Sequence, residues 1–148
     1  MRTLMATGCL VLLLGAAEPT DDVKKELAKL EGNWSMVSGE REGQKLPDDL
    51  TKDAKRESKG GATTVSIGGQ VFIKATYTVD PGKKPKTIDY TVTEGANKGK
   101  QLLGIYELDG DTVKFCFAGP DQERPKEFKT EAGDTRTMSV WKKEKKKE

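Results

Sequence analysis

The chain contains no histidine among its 148 residues. Histidine is the commonest general base near neutral pH and the commonest side-chain ligand of transition metals. Its absence excludes Ser-His-Asp and Cys-His catalysis, and a zinc site would have to be built from carboxylates and cysteine. We therefore expect a protein that is not an enzyme and that carries neither a metal nor another cofactor.

Cysteine is scarce too, and the first of the two cysteines lies in an unusual place. Cys9 is part of an apolar stretch over residues 4–14, which follows one basic residue and precedes three small residues that end at Ala17. This order is typical of a cleavable signal peptide. We predict a signal peptide over residues 1–17, cleaved near Ala17, and an extracytoplasmic protein that is periplasmic or secreted.

Two alternatives concern the fate of the cysteines. The run Ala6-Thr7-Gly8-Cys9 also resembles the acceptor site of bacterial lipoproteins, so lipidation of Cys9 stays open. If Cys9 leaves with the signal peptide, Cys116 is the single thiol and no intrachain disulfide can form. Cys116 stands between two phenylalanines with no basic neighbour in sequence, and we expect it to be inert.

Long apolar runs and an excess of one charge are also missing. The apolar stretch near the start is about half of the roughly 20 residues that a bilayer-spanning helix needs, so we expect no stable membrane span. The chain has 26 basic and 24 acidic residues, and lysines concentrate at its end. This balance argues against a nucleic-acid partner. We expect one monomeric domain over residues 18–141 and a lysine-rich disordered tail over residues 142–148.

The remaining sequence is divided by turn residues into short segments. Val23, Leu27 and Leu30 have the spacing of one helical face, and they predict a short helix that ends before Gly32. Beyond that point the apolar residues alternate, and Gly68-Gly69 and Asp109-Gly110 predict tight hairpin turns. One face of a strand is predicted to carry Val71, Ile73, Ala75, Tyr77 and Val79.

Strands are predicted at residues 34–40, 62–67, 70–79, 87–93, 101–108, 112–118, 126–130 and 137–142. Residues 47–59 are polar and are predicted to form a connecting loop or lid with a helical turn. Because nothing after the first segment resembles a crossover helix, these elements favour an all-β barrel or sandwich. We commit to an antiparallel up-and-down barrel of about eight strands with a short N-terminal helix.

The motif Leu30-Glu31-Gly32-Asn33-Trp34 resembles the signature of the lipocalins, in which Gly-x-Trp follows a short helix and starts the first strand. The resemblance carries over only Gly32 and Trp34, and it implies that Trp34 closes the barrel floor beneath the helix. It also implies a basic residue after the last strand, for which Lys142 and Lys143 are the candidates; the usual lipocalin residue is arginine.

A second resemblance covers nearly the whole chain after the first 17 residues. The runs LEGNWSMVS at 30–38, KKPKTID at 83–89, NKGKQLLGIYEL at 97–108 and DGDTVKFCF at 109–117, with Arg124-Pro125 before Phe128, resemble an uncharacterised secreted domain family that is expanded in planctomycete bacteria. That family is regarded as lipocalin-like and has no established activity. The resemblance therefore implies a fold and a compartment and adds no catalytic residue.

Four large side chains at inward positions are the candidates for a binding site. An eight-stranded barrel is just wide enough either to fill with its own side chains or to hold one small ligand. We expect a small apolar or amphipathic ligand, bound by Trp34, Tyr77, Tyr90 and Phe115.

Two alternatives stay open at this point. A filled barrel would favour an envelope module that acts through contacts with a protein partner at residues 47–59 and 119–125. A cleft with two convergent acids, one of raised pKa, would favour a hydrolase or lyase that uses carboxylates without histidine.

Overall fold

A computed structural model describes residues 20–145 of the chain. The signal peptide predicted over residues 1–17, the lipidation site at Cys9 and the last three residues of the predicted tail lie outside the described residues. Helix α1 spans Asp21–Leu30 and helix α2 spans Asp48–Thr51. The strands are β1 (Gly32–Arg41), β2 (Gln44–Lys45), β3 (Ala54–Lys59), β4 (Ala62–Ile67), β5 (Gln70–Asp80), β6 (Lys86–Glu94), β7 (Gln101–Asp109), β8 (Thr112–Phe117) and β9 (Thr137–Lys143).

The strands form one antiparallel sheet in which each long strand pairs with the next along the chain. The sheet closes because β1 pairs with β9, with Met36 opposite Trp141 and Arg41 opposite Thr137. Strand β2 pairs only with the end of β1 and stays outside the closed ring of eight strands. The prediction of an all-β antiparallel barrel with a short N-terminal helix is confirmed. Strand β9 extends to Lys143, so residues 142 and 143 of the predicted tail belong to the barrel.

Helix α1 lies at one end of the barrel and begins with a good cap. The Thr20 side chain accepts a hydrogen bond from the Val23 amide at 3.3 Å. Two aspartates in the first turn interact favourably with the positive end of the helix dipole. Leu30 is buried, and Val23 and Leu27 pack against the barrel core. The predicted apolar face of this helix is therefore the face that contacts the barrel.

The barrel has two distinct ends. Because β1 leaves α1 and the strands alternate in direction, the turns at residues 60–61, 81–85 and 110–111 share the end with α1, which we call the helix end. Helix α2, the β4–β5 turn and the connections at residues 95–100 and 118–136 lie at the opposite end, which we call the loop end.

The structure corrects two parts of the strand prediction. Residues 47–59 were expected to form a loop or lid, but only α2 at their start fits, since Ala54–Lys59 is a strand of the barrel. Residues 126–130 were expected to form a strand and do not. Strand β9 takes the place beside β8, and Thr130 instead donates a hydrogen bond to Glu40 at 2.6 Å and accepts one from the Gly43 amide at 2.9 Å.

The long connection between β8 and β9 is fixed to the barrel by Arg124. Its guanidinium donates hydrogen bonds to the carbonyl oxygens of Ile88 at 3.2 Å and Gly104 at 2.8 Å. The Asp89 carboxylate lies 2.6 Å from the same guanidinium in a close ion pair. One side chain therefore joins the connection to both β6 and β7.

Candidate functional site

The four residues predicted to face the barrel interior are all buried there. Trp34, Tyr77, Tyr90 and Phe115 come from strands β1, β5, β6 and β8, and each is less than one-tenth exposed. They all line one small cavity beneath Leu30 of α1. The structure thus brings the four predicted residues together, although their binding of a ligand stays a prediction.

The main charged group of the interior is Arg56 of β3, which the sequence analysis missed. Arg56 is only 6% exposed, and its guanidinium lies 4.6 Å from the ring centres of both Phe115 and Trp141. It donates hydrogen bonds to the hydroxyls of Tyr90 and Thr63. Aromatic faces stabilise a cation through their quadrupole, by about 0.5–2 kcal/mol per contact. The aromatic interior is therefore arranged around a positive charge.

The cavity itself is very small. It has a volume of about 10 Å³ and is lined by Leu30, Trp34, Arg56, Ser58, Tyr77, Ile88, Tyr90, Val113 and Phe115. A cavity of roughly 10–15 Å³ holds a single water molecule. Ligand pockets for drug-sized molecules are typically about 300–1,000 Å³. This cavity is therefore far smaller than a typical ligand pocket.

Polar groups in the interior are only partly paired. Within the described part of the chain, the Tyr77 hydroxyl and Arg56 Nε are buried without a hydrogen-bond partner. Burial, reinforced by the neighbouring Tyr90, raises the pKa of Tyr77 to about 12, while the charge of Arg56 opposes this increase. The neighbouring Ser58 hydroxyl also lowers the pKa of Tyr77, and this hydroxyl is itself hydrogen-bonded to the Thr63 hydroxyl at 2.8 Å.

The floor of the barrel is closed at the helix end, as the lipocalin resemblance implies for Trp34. The Trp34 indole donates a hydrogen bond to the Leu30 carbonyl at 3.0 Å, which ties the end of α1 to the first strand. The Lys143 ammonium lies 5.3 Å from the centre of the Trp34 ring. The two lysines proposed for a position after the last strand both lie within β9, so that placement is wrong, and Lys143 is the one that contacts the tryptophan.

A second polar cluster fixes α1 to the rim of the barrel. Glu26 is buried, and its Oε1 atom accepts hydrogen bonds from Lys86 at 2.7 Å and from the Tyr106 hydroxyl at 2.9 Å. Burial and the Glu26 carboxylate together hold the pKa of Tyr106 well above its ordinary value. An open crevice of about 390 Å³ separates α1 from the β5–β6 turn beside this cluster.

The loop end carries the most exposed aromatic side chain among the described residues. Phe72 is 59% exposed and Val71 is 50% exposed. Val71 was predicted to face the interior together with Tyr77, and this placement is wrong. A β-bulge at Phe72 inserts one extra residue opposite β4, which turns Val71 away from the interior face.

Other chemistry proposed for the chain has little geometric support. Cys116 is fully buried, and burial raises the pKa of its thiol, which reduces the thiolate available for reaction. Within residues 20–145, no cluster of three or more acidic or cysteine side chains is placed to hold a metal ion. The helices in that range are also too short or too polar to cross a membrane.

Comparisons with known proteins identify no relative of the chain. No family model, no curated protein and no solved structure matches it. The likeness to a planctomycete domain family accordingly stays a prediction from the sequence.

Proposed function

We propose that the protein is a non-enzymatic, extracytoplasmic module that acts by contacting another protein with the loop end of its barrel. The observation that supports this proposal is the closed interior, whose cavity of about 10 Å³ has room for one water-sized species. A barrel of this size either fills with its own side chains or holds one small ligand. A filled interior therefore favours a function that is performed by the outer surface.

The chemistry of the interior also argues against an apolar cargo. The Arg56 guanidinium is a cation, and an apolar ligand beside it would displace aromatic faces that stabilise the charge. A carrier of apolar molecules would lose those contacts on loading. The cost of that loss makes transport in the interior the weaker proposal.

The loop end offers a surface suited to a protein partner. Phe72 and Val71 are adjacent, apolar and at least half exposed, and they stand beside the connection at residues 95–100. Exposed aromatic residues are enriched where proteins bind one another, and they supply much of the binding energy. We place the contact at these two residues, with the connection at 118–136 at the same end.

A photo-crosslinking amino acid at position 72 in the native host tests this proposal. We expect a discrete crosslinked product of higher mass that is lost when Val71 is changed to Asp. Val37 is the matched control position, because it is 58% exposed on a bulge in the middle of β1, away from the loop end. Equal crosslinking at 37 and 72, or none at 72, would contradict contact at the loop end.

A small ligand in the barrel is the second candidate function. It is favoured by one observation, namely that Trp34, Tyr77, Tyr90 and Phe115 surround a single cavity directly beneath α1. Loading would require α1 to move and the aromatic side chains to repack. Native mass spectrometry of protein purified from its host separates the two candidates, since an organic mass lost on denaturation supports the carrier and argues against the contact module.

A further inference from the structure

The exposed apolar pair at the loop end, Val71 and Phe72, lies against the connection between β6 and β7. A Cβ atom at Gly95 would lie 2.8 Å from the Phe72 carbonyl oxygen, so glycine is needed for this close approach. The Lys98 amide in turn donates a hydrogen bond to the Gly95 carbonyl at 3.2 Å. The connection at residues 95–100 is therefore held beside the two apolar side chains.

Positive charge predominates around this pair. Residues 70–76 and 94–101 contain three lysines and one glutamate, which gives this part of the loop end a net charge of +2. The glutamate, Glu94, lies 3.8 Å from the Lys74 ammonium and balances its charge. The net charge therefore comes from the two lysines of the connection.

These two lysines, Lys98 and Lys100, are exposed and have no ion-pair partner within the part of the chain that the structure describes. Their backbone groups hold the turn, since the Lys100 amide donates to the Asn97 carbonyl and the Lys100 carbonyl accepts from the Val92 amide, both at 2.9 Å. The two ammonium groups are thus available to a partner on a backbone that is already fixed.

An apolar anchor with unpaired lysines beside it fits a partner of opposite charge. Buried aromatic contacts supply most of the affinity at protein interfaces, whereas charges at the rim determine which partner binds and how fast. Phe72 is suited to the first role, and Lys98 and Lys100 are suited to the second.

An anionic lipid surface would also attract the two lysines, but it is flat and would face the whole loop end. Residues 46–53 and 118–136 at that end carry eight acidic and five basic residues. An extended anionic surface would meet repulsion from this excess of acids. A narrow protein segment can lie along Phe72 and the two lysines alone.

We propose that the partner at the loop end presents an acidic segment with an apolar side chain. The apolar side chain packs on Val71 and Phe72, and the carboxylates pair with Lys98 and Lys100. This inference rests on the proposed contact at the loop end and states the chemistry of the partner that makes it.

Charge reversal in the protein that carries the photo-crosslinking amino acid at position 72 tests the proposal in the native host. Lys98→Glu combined with Lys100→Glu should lower the yield of the crosslinked product about fivefold, because two attractive charges become repulsive. Lys83→Glu combined with Lys84→Glu is the matched control, since this exposed pair lies in a turn at the helix end, and it should leave the yield unchanged. All four side chains are exposed, so both variants should melt as the natural protein does.

Mass spectrometry of the crosslinked product identifies the partner segment. We expect two or more acidic residues within about five positions of the crosslinked residue, a length of extended chain that spans the two lysines. A product that survives charge reversal at Lys98 and Lys100, or a crosslinked segment without acidic residues, would overturn the acidic partner and leave the contact at the loop end in place. No product at position 72 would overturn both proposals.

Vesicles made of phosphatidylglycerol and phosphatidylethanolamine test the lipid alternative with the purified protein. We expect no co-sedimentation, because the acids of the loop end repel an anionic surface. Co-sedimentation that is lost in Phe72→Ser would overturn the proposal in favour of an anionic lipid surface.

Discussion

The Glu26 carboxylate of α1 and the Lys86 ammonium of β6 lie 2.7 Å apart, and the carboxylate is the more deeply buried of the two. Lys86 can reach water when its partner is lost, whereas Glu26 cannot. Replacing Lys86 by Met should therefore cost about 3 kcal/mol of unfolding free energy, because a buried carboxylate then has only Tyr106 and a more distant lysine.

Glu26→Gln is the matched change on the other side of this pair. Glutamine keeps an acceptor for the Tyr106 hydroxyl and frees Lys86 to turn toward solvent, so we expect a loss of about 1 kcal/mol. Urea unfolding at neutral pH measures both variants. Equal losses, or a larger loss for Glu26→Gln, would show that burial of the carboxylate does not control the stability of this contact.

The raised pKa of Tyr77 predicts a loss of stability in alkaline solution. In the unfolded chain this hydroxyl ionises near pH 10, while in the barrel it stays neutral up to about pH 12. Between these values the unfolded state binds fewer protons than the folded state, so unfolding becomes easier as the pH rises. The contribution is complete below pH 10.

Comparing Tyr77→Phe with the natural protein isolates this effect from the many lysines that titrate in the same range. From pH 9 to pH 11.5, the natural protein should lose about 2 kcal/mol more than the variant. Urea unfolding across that range is the measurement. Parallel curves for the two proteins would mean that Tyr77 ionises as readily in the barrel as in the unfolded chain.

Gly104 of β7 should not tolerate a methyl group. A Cβ atom there would lie 2.5 Å from the Phe117 ring and 2.9 Å from the Cys116 carbonyl oxygen. Gly104→Ala should therefore cost about 2 kcal/mol, as overpacking of a core typically does. Gly82→Ala is the control, since its nearest neighbour is an Asp80 side-chain oxygen at 3.3 Å, and we expect a change within about 0.5 kcal/mol. Thermal unfolding distinguishes the two outcomes.

Arg124→Lys should loosen the connection between β8 and β9. Lysine lacks the planar fork that lets arginine bond two carbonyl groups while pairing with Asp89. We expect faster cleavage by proteinase K within residues 118–136 and a loss of about 1–2 kcal/mol. Lys126→Ala changes an exposed residue of the same connection and should leave the cleavage rate unaltered.

The Cys116 thiol should be unreactive in the folded protein. It is fully buried, and its raised pKa lowers the thiolate fraction. Ellman's reagent should therefore label Cys116 only after denaturation with guanidinium chloride. Rapid labelling of the native protein would indicate local opening between β8 and the connection that covers it.

The sequence predicts most of the barrel because most of its strands alternate apolar and polar residues. The hairpin turns at Gly68-Gly69 and Asp109-Gly110 were predicted correctly, since Gly68, Gly69 and Gly110 adopt the left-handed backbone that tight turns require. Helix α1 was recognised from three apolar residues at helical spacing. In each case a local pattern is enough to determine the element.

Strand β3 and the centre of the candidate site were missed for a single reason. The inward positions of β3 are Ala54, Arg56 and Ser58. The side chains along β3 therefore alternate between buried and exposed, but not between apolar and polar. No apolar period marks the strand, and a charged residue is ordinarily expected in solvent. The aromatic rings closest to the Arg56 guanidinium come from β8 and β9, far away in sequence. A local pattern cannot indicate them.

The pairing of β1 with β9 also determines the order in which the barrel can form. Every other pairing joins strands that are near neighbours in sequence, whereas this one joins residues roughly a hundred positions apart, which carries a larger loop-closure entropy. During synthesis the first strand keeps one unpaired edge until the last strand has emerged. During that interval the unpaired edge of β1 can pair with a strand of another chain. A mutation that delays the pairing of β1 with β9 should therefore increase aggregation, even where the folded protein is equally stable.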